Sequence, residues 1–391
     1  MMELKSTKVV RGLTIDNGGS ELRVLPEGNT DVVKVPNDFV EIEEAAFRVK
    51  EVDPRSVIRF IEAPNPEFLG LMATGMAGKA YNGTAITISN QEQKTASLAY
   101  YRQFLFGIAY DAYDAIESHR NEYSTKLVSV ECKYRRTMAF DVNFLYSLVT
   151  CIPVREHSGV ADCAKRLKEA IKGKYIVEFP LFESMPAIQF EISEKFFGVV
   201  PEGAVSMVAL GNKISPDDYS LVIDIGRITA DIALFKGKDM LGKVASSSFA
   251  GSTLAGNVRA ALSENGFYVS EEQAERCVET GLVKSGADEV NIADIVAEQK
   301  EMYVRNYLRD EIVQVLNANA LKAAQVQNVI PIGAPMNTTQ TGDLCGMIAE
   351  DCWLSRAKIH RLADNLRYVN IMSASLFTKA ISSKAREYYK K

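Results

Sequence analysis

A chain of 391 residues, 47% hydrophobic and 24% charged, has ordinary globular composition and is long enough for two cores. A formal net charge of −5 argues against the basic face that direct nucleic-acid binding requires. The N-terminal stretch lacks an apolar signal core and no segment approaches the roughly 20 apolar residues of a membrane span, so a cytoplasmic protein without membrane contact is expected. The six cysteines have no short paired spacing and only three histidines accompany them. Reduced thiols packed in cores, rather than a zinc site, are expected.

Val9 to Ile15 is apolar and β-branched, followed by a Gly-Gly turn and a second apolar run from Leu22 to Leu25, which predicts a hairpin. Strands are predicted at Ser56–Glu62 and Phe68–Met72. From Ala96 to His119 the spacing becomes helical, with Phe104, Leu105, Ile108, Ala112 and Ile116 on one stripe and Asp111, Asp114 and Glu117 off it. Strands return at Lys126–Lys133 and Phe144–Pro153. A short helix at Asp162–Ile171 precedes strands at Tyr175–Phe179 and Ala187–Ile192. Within Val199–Gly211, Pro201 is placed at a helix start, where its missing N–H is harmless. Leu221–Phe235 reads as a second hairpin. A Ser/Gly loop then opens a helix, a long helical region runs from Ser270 to Ala324, and Asn328–Ile332 is a strand ending at Gly333. An amphipathic helix from Tyr368 to Tyr388 closes the chain.

The two hairpins repeat one pattern. "LTIDNGGSELRVL" and "LVIDIGRITADIALF" both run Leu-x-Ile-Asp-x-Gly, then a polar step, then a second apolar strand. Asp16 and Asp224 hold the same place, as do Gly18 and Gly226, with the hydroxyls of Ser20 and Thr229 just beyond each turn. A Gly-rich turn lets several backbone N–H groups converge on an anion, and a hydroxyl adds a donor. Two such turns are suited to clamping a polyphosphate, with the aspartates facing a hydrated Mg²⁺ rather than the phosphates. The bland alternative is two hairpins with ordinary Gly turns.

These motifs, in this order, resemble the actin, heat-shock chaperone and sugar-kinase ATPase superfamily, and within it the bacterial plasmid-segregation actins of the ParM type. The first phosphate motif is matched by Asp16, Gly18, Gly19, Ser20 and Arg23. The second is matched by Asp224, Gly226, Thr229 and Asp231, with Arg227 and Ile228 where small residues are usual. "VTCIPV" resembles the strand leading toward the connecting helix, and Pro201-Glu202 resembles its start. "AGSTLAG" resembles a Gly-Gly-Ser-x-Leu loop, and "EEQAERCVETG" the helix beside ribose and base. "VIPIGAP" resembles the adenosine loop, with Ala334 in place of its second glycine.

The resemblance implies an α/β, actin-like ATPase fold of two related domains flanking a nucleotide cleft. Residues 1–198 would form domain I, with helix 368–391 returning to it, and 199–367 domain II. It implies catalytic roles for Glu202, orienting water, and for Asp224 and Asp16, which would also hold Mg²⁺ through water. Nucleotide contacts would come from Gly18, Gly19, Ser20, Arg23, Gly226, Arg227, Thr229, Gly251, Ser252, Thr253, Glu275, Gly333 and Ala334. Arg227 either adds a positive charge toward the phosphates or points into solvent, and Asp231 either braces its hairpin or joins the chemistry. The cofactors implied are ATP or GTP with Mg²⁺. The function implied is nucleotide-dependent polymerisation with hydrolysis, moving plasmid DNA through a DNA-binding adaptor; the partners are then further copies of the chain and that adaptor, with no direct nucleic-acid contact. The alternative is a non-polymerising small-molecule kinase of the same fold.

Overall fold

The computed structural model describes residues 7–18, 21–48, 50–86, 94–123, 126–133, 135–159, 162–182, 185–286, 288–337 and 339–390. Gly19 and Ser20, expected to contact phosphate, lie outside them. The chain divides into two compact units, one of residues 1–152, 160–200 and 374–391, the other of 153–159 and 201–373.

In the first unit, Thr7–Asn17 and Glu21–Pro26 form the first hairpin, and Val33–Pro36 extends it as a third antiparallel strand. On its other side Thr7–Asn17 pairs in parallel with Arg136–Ile152. The sheet continues through Ala187–Pro201, Gly173–Glu178, Val57–Glu62, Gly70–Ala73, Phe39–Ile42 and Thr84–Ile86, with Leu127–Glu131 paired to Arg136–Ile152 off this path. The helix Leu98–Ser118 is capped by Ser97, whose side chain accepts the Tyr100 N–H. Its predicted apolar stripe, Phe104 to Ile116, is buried in the core of this unit. Asp111, expected off the stripe, is buried as well. Arg11 reaches it with two hydrogen bonds of 2.8 Å, and the Tyr146 hydroxyl donates to it at 2.6 Å. A bidentate guanidinium supplies the partners that a desolvated carboxylate needs.

The second unit repeats the beginning of the first. Tyr219–Ile225 and Ala230–Lys236 form the second hairpin, Asp239–Ser247 adds a third antiparallel strand, and Val326–Ile332 pairs in parallel with Tyr219–Ile225. Lys358–Ile359 completes a sheet of five described strands. Leu221, Ile223, Ile225, Ile232 and Leu234 pack with Leu254, Val258 and Leu262 of the helix Gly251–Glu264 in the core of this unit.

Two expectations are corrected. The helix assigned from Pro201 is still strand there: Ala187–Pro201 runs on, and the helix spans only Val205–Leu210. Gly203, at φ +70°, cannot take a helical conformation, and Glu202 therefore sits in a turn. The long helical region from Ser270 is broken after Thr280, where Gly281 at φ +66° caps the helix Glu271–Thr280. The hairpin Leu282–Ser285 with Asp288–Asn291 follows before helix resumes at Ala293. The last helix, Val369–Tyr389, begins in the second unit and ends in the first. Among the described residues no helix is long and apolar enough to cross a membrane. All six cysteines are free thiols, five of them buried.

Candidate functional site

In the first unit, Asp16 lies opposite Arg23 across the hairpin and is 3% exposed. The pair is joined at 2.8 Å, and Arg23 Nε also donates to Glu21 at 2.9 Å. Burial works against the Arg23 charge, but Asp16 and Glu21 more than offset it, so the guanidinium pKa is raised and the charge is held. The Gly18 N–H closes the turn on the Glu21 carbonyl at 3.2 Å, and the Gly18 carbonyl accepts from Asn37 at 2.5 Å. Arg23, expected to reach phosphates, thus already serves two carboxylates of its own hairpin.

The second hairpin places a carboxylate where the first has a guanidinium. Asp224 and Asp231 are direct partners across antiparallel strands, so their side chains share a face, and both are buried. The Thr229 hydroxyl donates to Asp231 at 3.3 Å. Asp224 accepts from Asn370 Nδ2 at 2.7 Å, and the other end of the same amide accepts the Gly203 N–H at 2.8 Å. The neighbour of Gly203, Glu202, is buried, and its carbonyl closes a three-residue turn with the Ala204 N–H at 2.7 Å. Asp224 and the Gly203 amide next to Glu202 are thereby tied to a single side chain. Asn370 carries no local sequence signal, because its partners stand 146 and 167 residues away.

The tip of this hairpin is bound to its surroundings. Gly226 N–H donates to the Thr229 carbonyl at 2.9 Å. The carbonyls of Gly226 and Arg227 accept the Gly251 and Ser252 N–H groups, each at 2.9 Å, which satisfies the first amides of the helix Gly251–Glu264. The amides of Arg227 and Ile228 take no acceptor among the described residues. Thr253, in the next position, donates its hydroxyl to the Ser248 carbonyl at 3.4 Å.

Arg227 neither points at the turn amides nor hangs in solvent. Its Nε donates to Glu275 at 2.6 Å and a terminal nitrogen lies 3.3 Å from Glu271. This links the hairpin tip to the helix that begins with the Ser270 capping box. Glu275, expected beside ribose, is therefore fixed by the residue that departs from the usual small-residue turn.

Gly333, at φ +97°, passes so close to the second hairpin that a Cβ there would overlap the Ile225 carbonyl oxygen. Only glycine fits this approach. Its N–H donates to the Leu366 carbonyl at 3.0 Å. Ala334 opens a short 3₁₀ turn to Met336, and the Pro335 ring closes over Gly251. Beside this loop lies a cavity of about 370 Å³, lined by Asn337, Arg361, Leu362, Ala363, Asp364 and Leu366. Glu202, Asp224, Asp231, Gly226, Arg227, Thr229, Gly251, Ser252, Thr253, Glu275, Gly333 and Ala334 all fall in the second unit, and Asp16, Gly18 and Arg23 in the first. Among the described residues no group of three or more His, Cys, Asp or Glu is arranged to hold a metal ion on its own.

No family model matches this sequence, and no curated protein matches it. Solved structures do. The actin-like protein Alp7A superposes with a TM-score of 0.71 at 15% identity, covering 98% of this chain and 99% of Alp7A. Bacillus thuringiensis ParM with ATP gives a TM-score of 0.61 at 13% identity over 95% of this chain and 98% of ParM. A ParM from a 15-stranded Clostridium botulinum filament gives 0.57 at 12% identity over 96% and 99%. The chain has the mixed α/β actin-like fold of these proteins.

Proposed function

We propose that this chain is a ParM-type polymerising ATPase. The observation that carries the reading is the second hairpin, where Asp224 and Asp231 share a face beneath a tip whose Arg227 and Ile228 amides have no acceptor among the described residues. Paired carboxylates call for a cation, and adjacent turn amides call for an anion; a magnesium nucleotide presents both. The actin-like fold and its solved neighbours, one a filament and one with ATP, support the same reading.

Bound ATP or GTP with Mg²⁺ supplies the phosphoryl group and a metal that neutralises developing charge. Asp16 and Asp224 would hold Mg²⁺ through water, and Glu202 would orient the attacking water. The Gly18 and Gly226 amides already donate within their own turns, and those of Gly251 and Ser252 to the Gly226 and Arg227 carbonyls. At the second turn the phosphate contact would therefore fall to the amides of Arg227 and Ile228. Thr253 and Glu275 would approach the ribose. Gly333 and Ala334 would approach the base. The polymer is one of identical copies in the cytoplasm, and a DNA-binding adaptor connects it to a plasmid.

Light scattering with Mg²⁺ and ATP, GTP or neither, followed by electron microscopy, tests this. Filaments are expected only with nucleotide; their absence at tens of micromolar protein rejects polymerisation. Glu202→Ala should still assemble while releasing phosphate more slowly, and unchanged turnover would remove Glu202 from the chemistry.

A further inference from the structure

Asn370 joins the proposed catalytic Asp224 to Gly203, the neighbour of the proposed catalytic Glu202. It is the second residue of the helix Val369–Tyr389 and is 6% exposed. Its Nδ2 donates to Asp224 Oδ2 at 2.7 Å, and its Oδ1 accepts the Gly203 N–H at 2.8 Å. The two contacts have opposite polarity: a carboxylate oxygen only accepts, and a backbone N–H only donates. A reversed amide would set oxygen against oxygen and N–H against N–H, so the orientation is dictated by the partners.

Each contact fixes a different part of the site. Gly203, at φ +70°, is the central residue of the three-residue turn that the Glu202 carbonyl closes with the Ala204 N–H, so holding its N–H holds the peptide that carries Glu202. Committing Asp224 Oδ2 to the amide sets the plane of that carboxylate and thus the direction of Oδ1. Asn370 is itself anchored. The preceding turn, Leu366–Tyr368, is tied to the loop after strand Val326–Ile332, with Leu366 N–H donating to Asn337 at 2.8 Å and its carbonyl accepting from Gly333 at 3.0 Å. That strand is the parallel neighbour of the one bearing Asp224.

We propose that Asn370 is a positioning residue that holds the Glu202 turn and Asp224 in fixed register for hydrolysis, a role that rests on the hydrolase reading above. A displacement of about 1 Å in such a group can cost on the order of 100-fold in rate while leaving binding intact. Glycine at 203 gives the turn no side chain of its own to limit such movement.

The test uses the full chain, with fluorescent ATP binding in Mg²⁺ and single-turnover phosphate release measured separately. Asn370→Ala is expected to keep nucleotide affinity within about twofold and to slow phosphate release at least tenfold. Asn370→Asp keeps the shape and the acceptor for Gly203 but opposes Asp224 with a second carboxylate, and should be slowed as well. Acting through Glu202, the alanine substitution should add little to Glu202→Gln in the double variant. Release at the wild-type rate, equal losses of affinity and rate, or full additivity with Glu202→Gln would overturn the role. So would loss of folding in both Asn370 variants, seen by circular dichroism, because the contact would then be structural. A wild-type chain that binds ATP but releases no phosphate removes the hydrolase reading, and this role with it.

Discussion

The two hairpins begin from the same residues and end in opposite electrostatic states. Asp16 faces Arg23 across its strands, whereas Asp224 faces Asp231. The first carboxylate is answered by a guanidinium of its own hairpin. The second is held by a neutral amide from a distant helix and shares its face with another acid. One pattern thus yields a turn braced by an ion pair and a turn whose two carboxyl groups share a face. The arginines differ in the same way. Arg23 is nearly buried between two carboxylates, while Arg227 is about one-third exposed and tethers its hairpin to a neighbouring helix.

The contrast is open to attack at several points. Gly333→Ala should hit the second hairpin hardest, destabilising the chain by at least about 3 kcal/mol, since a Cβ collides with backbone at a positive φ. Denaturant melts measure this, and a near-neutral result would mean the loop can move away from Ile225. Arg23→Gln should cost about 2–4 kcal/mol by leaving Asp16 buried without its cation. Loss of under 1 kcal/mol would show that the first hairpin is not braced as described.

Lys300 sharpens the difference between the units through pH. It is buried in the second unit with its ammonium donating to Thr341 at 2.7 Å and Thr339 at 3.2 Å, and burial pushes its pKa down to about 8. Between pH 8 and 10 the unfolded chain keeps the Lys300 proton while the folded chain loses it. Stability should therefore rise with pH in that window by about 1–2 kcal/mol relative to Lys300→Met. A flat difference between the two melts would refute the assignment.

Asp231→Asn should run opposite to Arg23→Gln. Relieving a like-charge cross-strand pair should stabilise the metal-free chain by up to about 1 kcal/mol and weaken Mg²⁺-dependent nucleotide binding. Smallest of all, Arg227→Ala should cost under about 1 kcal/mol, less at high salt, because its ion pairs are partly exposed.

Much of this was legible locally. The alternation in Leu13–Asp16 and Leu221–Asp224, each closed by a glycine turn, identified both hairpins and their aspartates. The stripe in Leu98–Ser118 identified the main helix of the first unit, because both signals depend on residues within a few positions of each other. The length of the strands was not legible: Ala187–Pro201 runs on past Ile192 through the polar step Ser193–Lys195. Nor was the break after Thr280, where one αL glycine outweighs a continuous helical composition.

At the site the division is sharper. Residue type and spacing were enough to place Asp16, Asp224 and the turns beside them, since a turn is built by adjacent residues. The partners of those aspartates were decided only by folding: Arg23 by strand register, Asp231 by the same register with the opposite charge, and Asn370 by a helix that brings it to Asp224 from 146 residues away. Arg227 turned to Glu275 and Glu271 for the same reason. A charge cannot choose a partner until the chain has brought one within reach.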